Sequence, residues 1–140
     1  SSAASDVYKR QIYARAESEP PAYLGETAEV DHSVVTRGSE VEGTVRNSVL
    51  SQRCTVAEGA EVEYSILMPG AVVERGARVA YAILGENVRV GENARVGASP
   101  EAAPPEEWGI TVVGPEAQVE AGRTLKANRM LNREGKETVR

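Results

Sequence analysis

The chain has 140 residues with a formal net charge of −5, 41% hydrophobic and 26% charged, which is the size of one domain. Only 4% of residues are aromatic, with no Phe, one Trp and five Tyr, while valine occurs 19 times. Such a chain must build its core from small β-branched side chains, which favours strands and excludes a globule anchored on large rings.

Other classes drop out on similar grounds. No apolar run is long enough for a membrane-spanning helix, and no secretory signal pattern opens the chain. A single cysteine allows no internal disulfide and suits a reducing, cytoplasmic compartment. One cysteine and one histidine do not make the usual zinc site, so no metal is expected. The acidic balance argues against nucleic acid as a partner, and nothing points to a membrane.

Residues 1–11, SSAASDVYKRQ, show no apolar periodicity and no cap signal. They resemble translated sequencing-adapter sequence, the alternative being a disordered natural terminus. On the first reading the native protein extends upstream. Residues 12–29 form a lead-in segment and cap.

Residues 30–97 carry a repeat. Aliphatics recur at Val30, Val35, Val41, Val45, Leu50, Val56 and Val62, and on through Leu67, Val73, Val79, Leu84, Val90 and Val96. From Val45 the steps group as 5, 6 and 6, a period of 17, and the strings VEYSIL and VAYAIL stack on VRNSVL at that spacing. The first interval is two residues short. The period is neither 3.6 nor 2, so neither an amphipathic helix nor a plain meander results. Six residues suit one short strand and one corner. Three such units close a triangular coil, and coils stack as parallel strands about 4.8 Å apart. A second inward position falls four residues later, at Ser39, Cys54, Ala60, Ala71, Ala77, Val88 and Ala94. All are small, as a narrow prism requires. Gly and Asn appear where corners need positive φ, as in AEGAEV, ERGARV and GENARV.

Residues 98–109, ASPEAAPPEEWG, are rich in Pro and Glu and lack inward aliphatics. Pro cannot donate into a ladder, so this segment reads as a loop expelled from the solenoid. Trp108 is expected to fold back on the side of the prism or to meet a neighbouring domain. The register resumes over 110–131 through Val113, Val119 and Leu125, and 132–140 reads as a charged, fraying tail.

The pattern resembles the hexapeptide-repeat left-handed β-helix, an all-β, single-stranded parallel coil, and the handedness is taken from that resemblance. The pieces PPAYLG, GTVRNSVLS and SILMPGAVV, with WGITVVG later, are similar to the C-terminal domain of bacterial glucose-1-phosphate adenylyltransferase. The resemblance implies a parent enzyme making ADP-glucose from ATP and glucose 1-phosphate for glycogen synthesis. It also implies a tetramer, homo- or hetero-oligomeric, under allosteric control. The catalytic domain, with its nucleotide loop and Mg²⁺-binding carboxylates, would lie N-terminal to this solenoid and pack with it. No catalytic residue is expected here, so this chain alone would be inactive. The alternatives are a hexapeptide acyltransferase and a non-catalytic regulatory paralogue.

His32 is the only candidate general base, against a surface or packing histidine. His32, Asn47, Tyr64 and Tyr81 occupy equivalent repeat positions and should stack outward on one edge. Tyr64 and Tyr81 form a candidate contact ridge, with His32 and Trp108 as further interface candidates. Cys54 reads as a small buried hydrophobe. For a phosphorylated effector, the candidates are Lys126 and Arg129, just after the last coil's Leu125.

Overall fold

A computed structural model describes residues 19–140. The reading of residues 1–11, and the part of the lead-in segment before Glu19, lie outside them. The described chain is a parallel β-solenoid with strands in three sheets. Pairing joins residues one coil apart, with Val45 beside Val62, Val62 beside Val79 and Val79 beside Val96.

The first sheet runs from Tyr23–Leu24 through Glu40–Val41, Thr55–Val56, Val72–Val73 and Arg89–Val90 to Gln118–Val119. The solenoid therefore starts at Tyr23, inside the segment read as lead-in. The second sheet holds Glu29–Asp31, Thr44–Arg46, Glu61–Glu63, Arg78–Ala80, Arg95–Val96 and Thr124–Leu125. The third begins with Val34–Val35, Val49–Leu50 and Ile66–Leu67, and continues with Ala82–Leu84, Thr111–Val113 and Arg129–Leu131.

The repeat positions face inward as expected. Val45, Val62, Leu50, Leu67, Leu84, Val56 and Val73 are fully buried, and so are Ser39, Cys54, Ala71, Ala77, Val88 and Ala94. Each such aliphatic stabilises the fold by about 1.5–3 kcal/mol through area removed from water. Many corners are reverse turns with positive φ at the third residue, where Gly59 (φ 79°), Asn87 (φ 56°) and Asn93 (φ 60°) sit.

The segment 98–109 leaves the solenoid after Gly97 and holds two short 3₁₀ turns at Pro100–Ala102 and Pro105–Glu107. The tail corrects the sequence reading. Glu137–Val139 turns back and pairs antiparallel with Arg129–Leu131. Its side chains are exposed, but its backbone satisfies the last open strand edge, which an apolar-residue count does not register. Arg123 Nη2 to Glu137 Oε1, at 3.0 Å, ties the hairpin to the coil.

Candidate functional site

The corner between the second and third sheets is the most distinctive part of the surface. Its four successive residues, His32, Asn47, Tyr64 and Tyr81, all have φ between 47° and 52°. Asn tolerates this left-handed conformation, whereas Tyr pays strain for it. The side chains point outward, as the repeat predicted, and Tyr64 and Tyr81 stack with centroids 4.8 Å apart and planes 15° from parallel. His32 lies on the far side of Asn47, 2.9 Å from Asp31 Oδ1 and with its side chain 78% exposed. It faces solvent rather than a cleft, and it does not join the ring stack.

A buried ladder holds this corner. Ser33, Ser48 and Ser65 each donate from Oγ to the carbonyl two residues before, at 2.8–2.9 Å. Each Oγ in turn accepts the backbone N–H one coil on, at Ser48, Ser65 and Ala82 (3.1–3.2 Å). The sequence reading passed over these serines because they fall outside the two aliphatic positions. Their signal is the shared S of HSV, NSV and YSI.

The inserted segment emerges from the same corner, one coil above Tyr81. Trp108 folds back against the side of the prism. Its indole N–H donates to the carbonyls of Ala103 (2.8 Å) and Pro100 (3.0 Å). With Tyr81, Pro100 and Ile110 it encloses a small apolar cavity of about 110 Å³. Partial desolvation there, followed by the nearby Glu101 and Glu63 carboxylates and Tyr64, pushes the Tyr81 phenol above its ordinary value.

A larger groove of about 420 Å³ lies beside the tyrosine ridge, lined by Val49, Ile66, Ile83 and Ile110. It belongs to an outward column of the third sheet, Val34, Val49, Ile66, Ile83, Val112 and Met130. The sequence reading assigned one aliphatic per strand to the core and missed this face. Adjacent residues of a strand point to opposite sides, so the doubled aliphatics VV, VL, IL, IL, VV and ML already required one member of each pair to face out.

The two effector candidates do not come together. Lys126 is exposed on the second-sheet side, in a cleft shared with Arg95, Thr124 and Glu107. Arg129 is on the third sheet, beyond the bend at Asn128 (φ 60°), and its Nε lies 4.0 Å from Glu137 Oε2. Cys54 is fully buried. Burial raises its thiol pKa, and Sγ lies 3.3 Å from the Met68 carbonyl. No cluster of His, Cys, Asp or Glu able to hold a metal occurs among the described residues, and no helix among them is long and apolar enough to cross a membrane.

Residues 20–122 match the family model described as GlmU-like, C-terminal hexapeptide. The chain is 34% identical over 117 residues to a glucose-1-phosphate adenylyltransferase of Desulfitobacterium hafniense, covering 84% of this chain and 29% of that protein. It is 37% identical over 127 residues to the enzyme of the same description in Acetivibrio thermocellus, covering 87% of this chain and 30% of that one. The chain thus spans about three-tenths of the length of these curated relatives, in their C-terminal part. Among solved structures, a perosamine N-acetyltransferase from Caulobacter crescentus superposes with a TM-score of 0.48 at 16% identity, covering 85% of this chain and 54% of that one. A likeness that distant carries no argument about chemistry.

Proposed function

The chain belongs to the GlmU-like C-terminal hexapeptide family, and from that premise we propose that it is the assembly and allosteric domain of a cytoplasmic glucose-1-phosphate adenylyltransferase. The observation that carries this reading is the alignment with those enzymes over 84% of the chain. The parent protein would join ATP and glucose 1-phosphate into ADP-glucose and diphosphate. Its nucleotide loop and Mg²⁺-binding carboxylates would reside in a separate catalytic domain, in the part of those enzymes that this chain does not span. That domain and the other subunits of a tetramer are the partners the reading requires.

In this scheme the solenoid is a stiff rod whose coils each contact only their neighbours. It transmits a change at one end or face only by moving as a body, which suits coupling between subunits. A phosphorylated effector would find its cations at Lys126 together with Arg95, which share one cleft. Arg129 is the weaker of the two effector candidates because Glu137 competes for it.

The test is to purify the complete gene product and to assay ADP-glucose formation from ATP and glucose 1-phosphate with Mg²⁺. Product formation, with an effector response reduced at least tenfold in Lys126→Ala, is expected. A complete protein that makes no ADP-glucose, with an upstream domain lacking the nucleotide loop, would leave the regulatory paralogue. Transfer of an acyl group from acyl-CoA, lost in His32→Ala, would replace the reading with the acyltransferase.

A further inference from the structure

Three features meet where the inserted segment rejoins the prism. The first is a pair of aromatic walls. Tyr64 covers one face of the Tyr81 ring, which leaves the other face and the edge to the cavity that Trp108 closes from the far side. The second is the space between them. Protein interiors pack closely, and a ring placed only to pin the segment would settle onto the corner. Trp108 instead stays 51% exposed and leaves about 110 Å³ open. Its position is fixed without any occupant. The indole N–H donates to the Pro100 and Ala103 carbonyls, the backbone N–H donates to Pro105, and Pro100, Pro104 and Pro105 restrict the backbone leading to it. The third is charge. Glu101 and Glu63 are the charged groups that act on Tyr81, and no Lys or Arg lines the cavity. Neither carboxylate is in an ion pair among the described residues. Arg46 stands beside Glu63 in the second sheet, but its ion pair is with Glu29.

We propose that this cavity binds the head of a small quaternary ammonium ion, held by cation–π attraction to Trp108 and Tyr81 and by the opposite charge of Glu101 and Glu63. The site goes beyond the assembly and allosteric reading and does not rest on it. Sign, size and hydrogen bonding select this class. Aromatic faces carry negative potential, so rings and carboxylates together repel an anion and attract a cation. A cavity of roughly 150 Å³ accommodates benzene, so this one has room for about four or five heavy atoms, the size of a nitrogen with its methyl groups. A primary ammonium or a guanidinium brings N–H groups that need acceptors, and the carbonyls that face the indole already accept its N–H. A quaternary nitrogen has no N–H, so an apolar aromatic wall meets its needs. Once bound, the ion joins the inserted segment to the corner at Tyr81.

The experiment titrates choline into the complete 140-residue chain, beside the neutral alcohol in which carbon replaces its nitrogen. Trp108 is the only tryptophan, so its indole N–H resonance reports this site alone. A saturable shift is expected with choline, with a dissociation constant on the order of 1–10 mM, and at least tenfold weaker binding of the alcohol. In the variants, binding is followed through saturation transfer to the choline methyl signal. Trp108→Leu should abolish it, Tyr81→Asn should weaken it at least fivefold, and Glu101→Gln about threefold. Trp108 and Glu101 are exposed on the segment outside the prism, and Asn is compatible with the φ of 52° at Tyr81, so all three variants should keep the native circular dichroism. No saturable shift by about 100 mM choline would overturn the proposal. So would an alcohol that binds as tightly as choline, which would make this an ordinary apolar cavity. Choline binding indifferent to both Trp108→Leu and Tyr81→Asn would also overturn it, as would a lysine amide that binds more tightly than choline.

Discussion

The rings of Tyr64 and Tyr81 lie face to face at 4.8 Å, on backbone positions with φ of 48° and 52° that tyrosine rarely adopts. One coil below, Asn47 holds the same corner at φ 50° with little strain. The ring stack contributes about 0.5–1.5 kcal/mol, and the left-handed conformation costs about 1–2 kcal/mol. Tyr81→Asn exchanges one for the other and should change the unfolding free energy by less than about 1 kcal/mol. Tyr81→Val loses the stack and places a β-branched residue at positive φ, so it should destabilise by about 2 kcal/mol or more. Denaturant titration of both variants checks this, and equal losses would refute strain at the corner.

The serine ladder makes a position-dependent prediction. Ser65 Oγ accepts the Ala82 N–H at 3.2 Å inside the prism, where water does not replace it. Ser65→Ala should cost about 1–3 kcal/mol, the penalty of an orphaned buried donor. Ser33, half-buried in the first coil, makes the same bonds near solvent, and Ser33→Ala should cost less than about 1 kcal/mol.

Two glycines with nearly the same backbone separate conformation from space. Gly97 (φ 74°) and Gly122 (φ 75°) both occupy left-handed positions. A Cβ on Gly97 would overlap the Ala80 carbonyl oxygen, whereas one on Gly122 meets nothing within 4 Å. Gly122→Ala should cost about 1 kcal/mol, the conformational part alone. Gly97→Ala should cost at least twice that, and its melting temperature should fall correspondingly further.

Cys54 predicts an alkaline limb. Its thiol pKa is raised chiefly by burial, with backbone hydrogen bonds opposing. Below the ordinary thiol range, about pH 8.5, both folded and unfolded states keep the proton, and the stability is unaffected. As pH rises past that value the unfolded chain loses the proton first, the folded state binds more, and stability falls until the folded thiol also ionises. Cys54→Ala should flatten this limb while costing some packing at lower pH. In native protein a thiol reagent at pH 8 should label Cys54 only at the rate of unfolding. Rapid labelling would mean that the coil opens locally.

The solenoid was legible because its period is a property of local chain geometry. Each inward aliphatic recurs after a fixed contour length, so Val45, Val62, Val79 and Val96 could be aligned without knowing any contact. The small residues between them, from Ser39 to Ala94, followed from the width of the prism. The tail was misread because its strand is held by backbone pairing to Arg129–Leu131, and backbone bonding leaves little trace in side-chain pattern. Lys126 and Arg129 looked like neighbours because they are three residues apart, but the bend at Asn128 sends them to different faces.

Periodicity alone was enough to decide which residues face inward, since burying an aliphatic side chain at every fifth or sixth position leaves one consistent coil. Which outward residues act together was decided only by folding. The stack of coils sets residues 15, 17 or 29 apart side by side, as Asp31 beside Arg46, Ile66 beside Ile83 and Ile83 beside Val112. Contacts on the surface of a solenoid run across the chain, perpendicular to the direction in which a sequence is read.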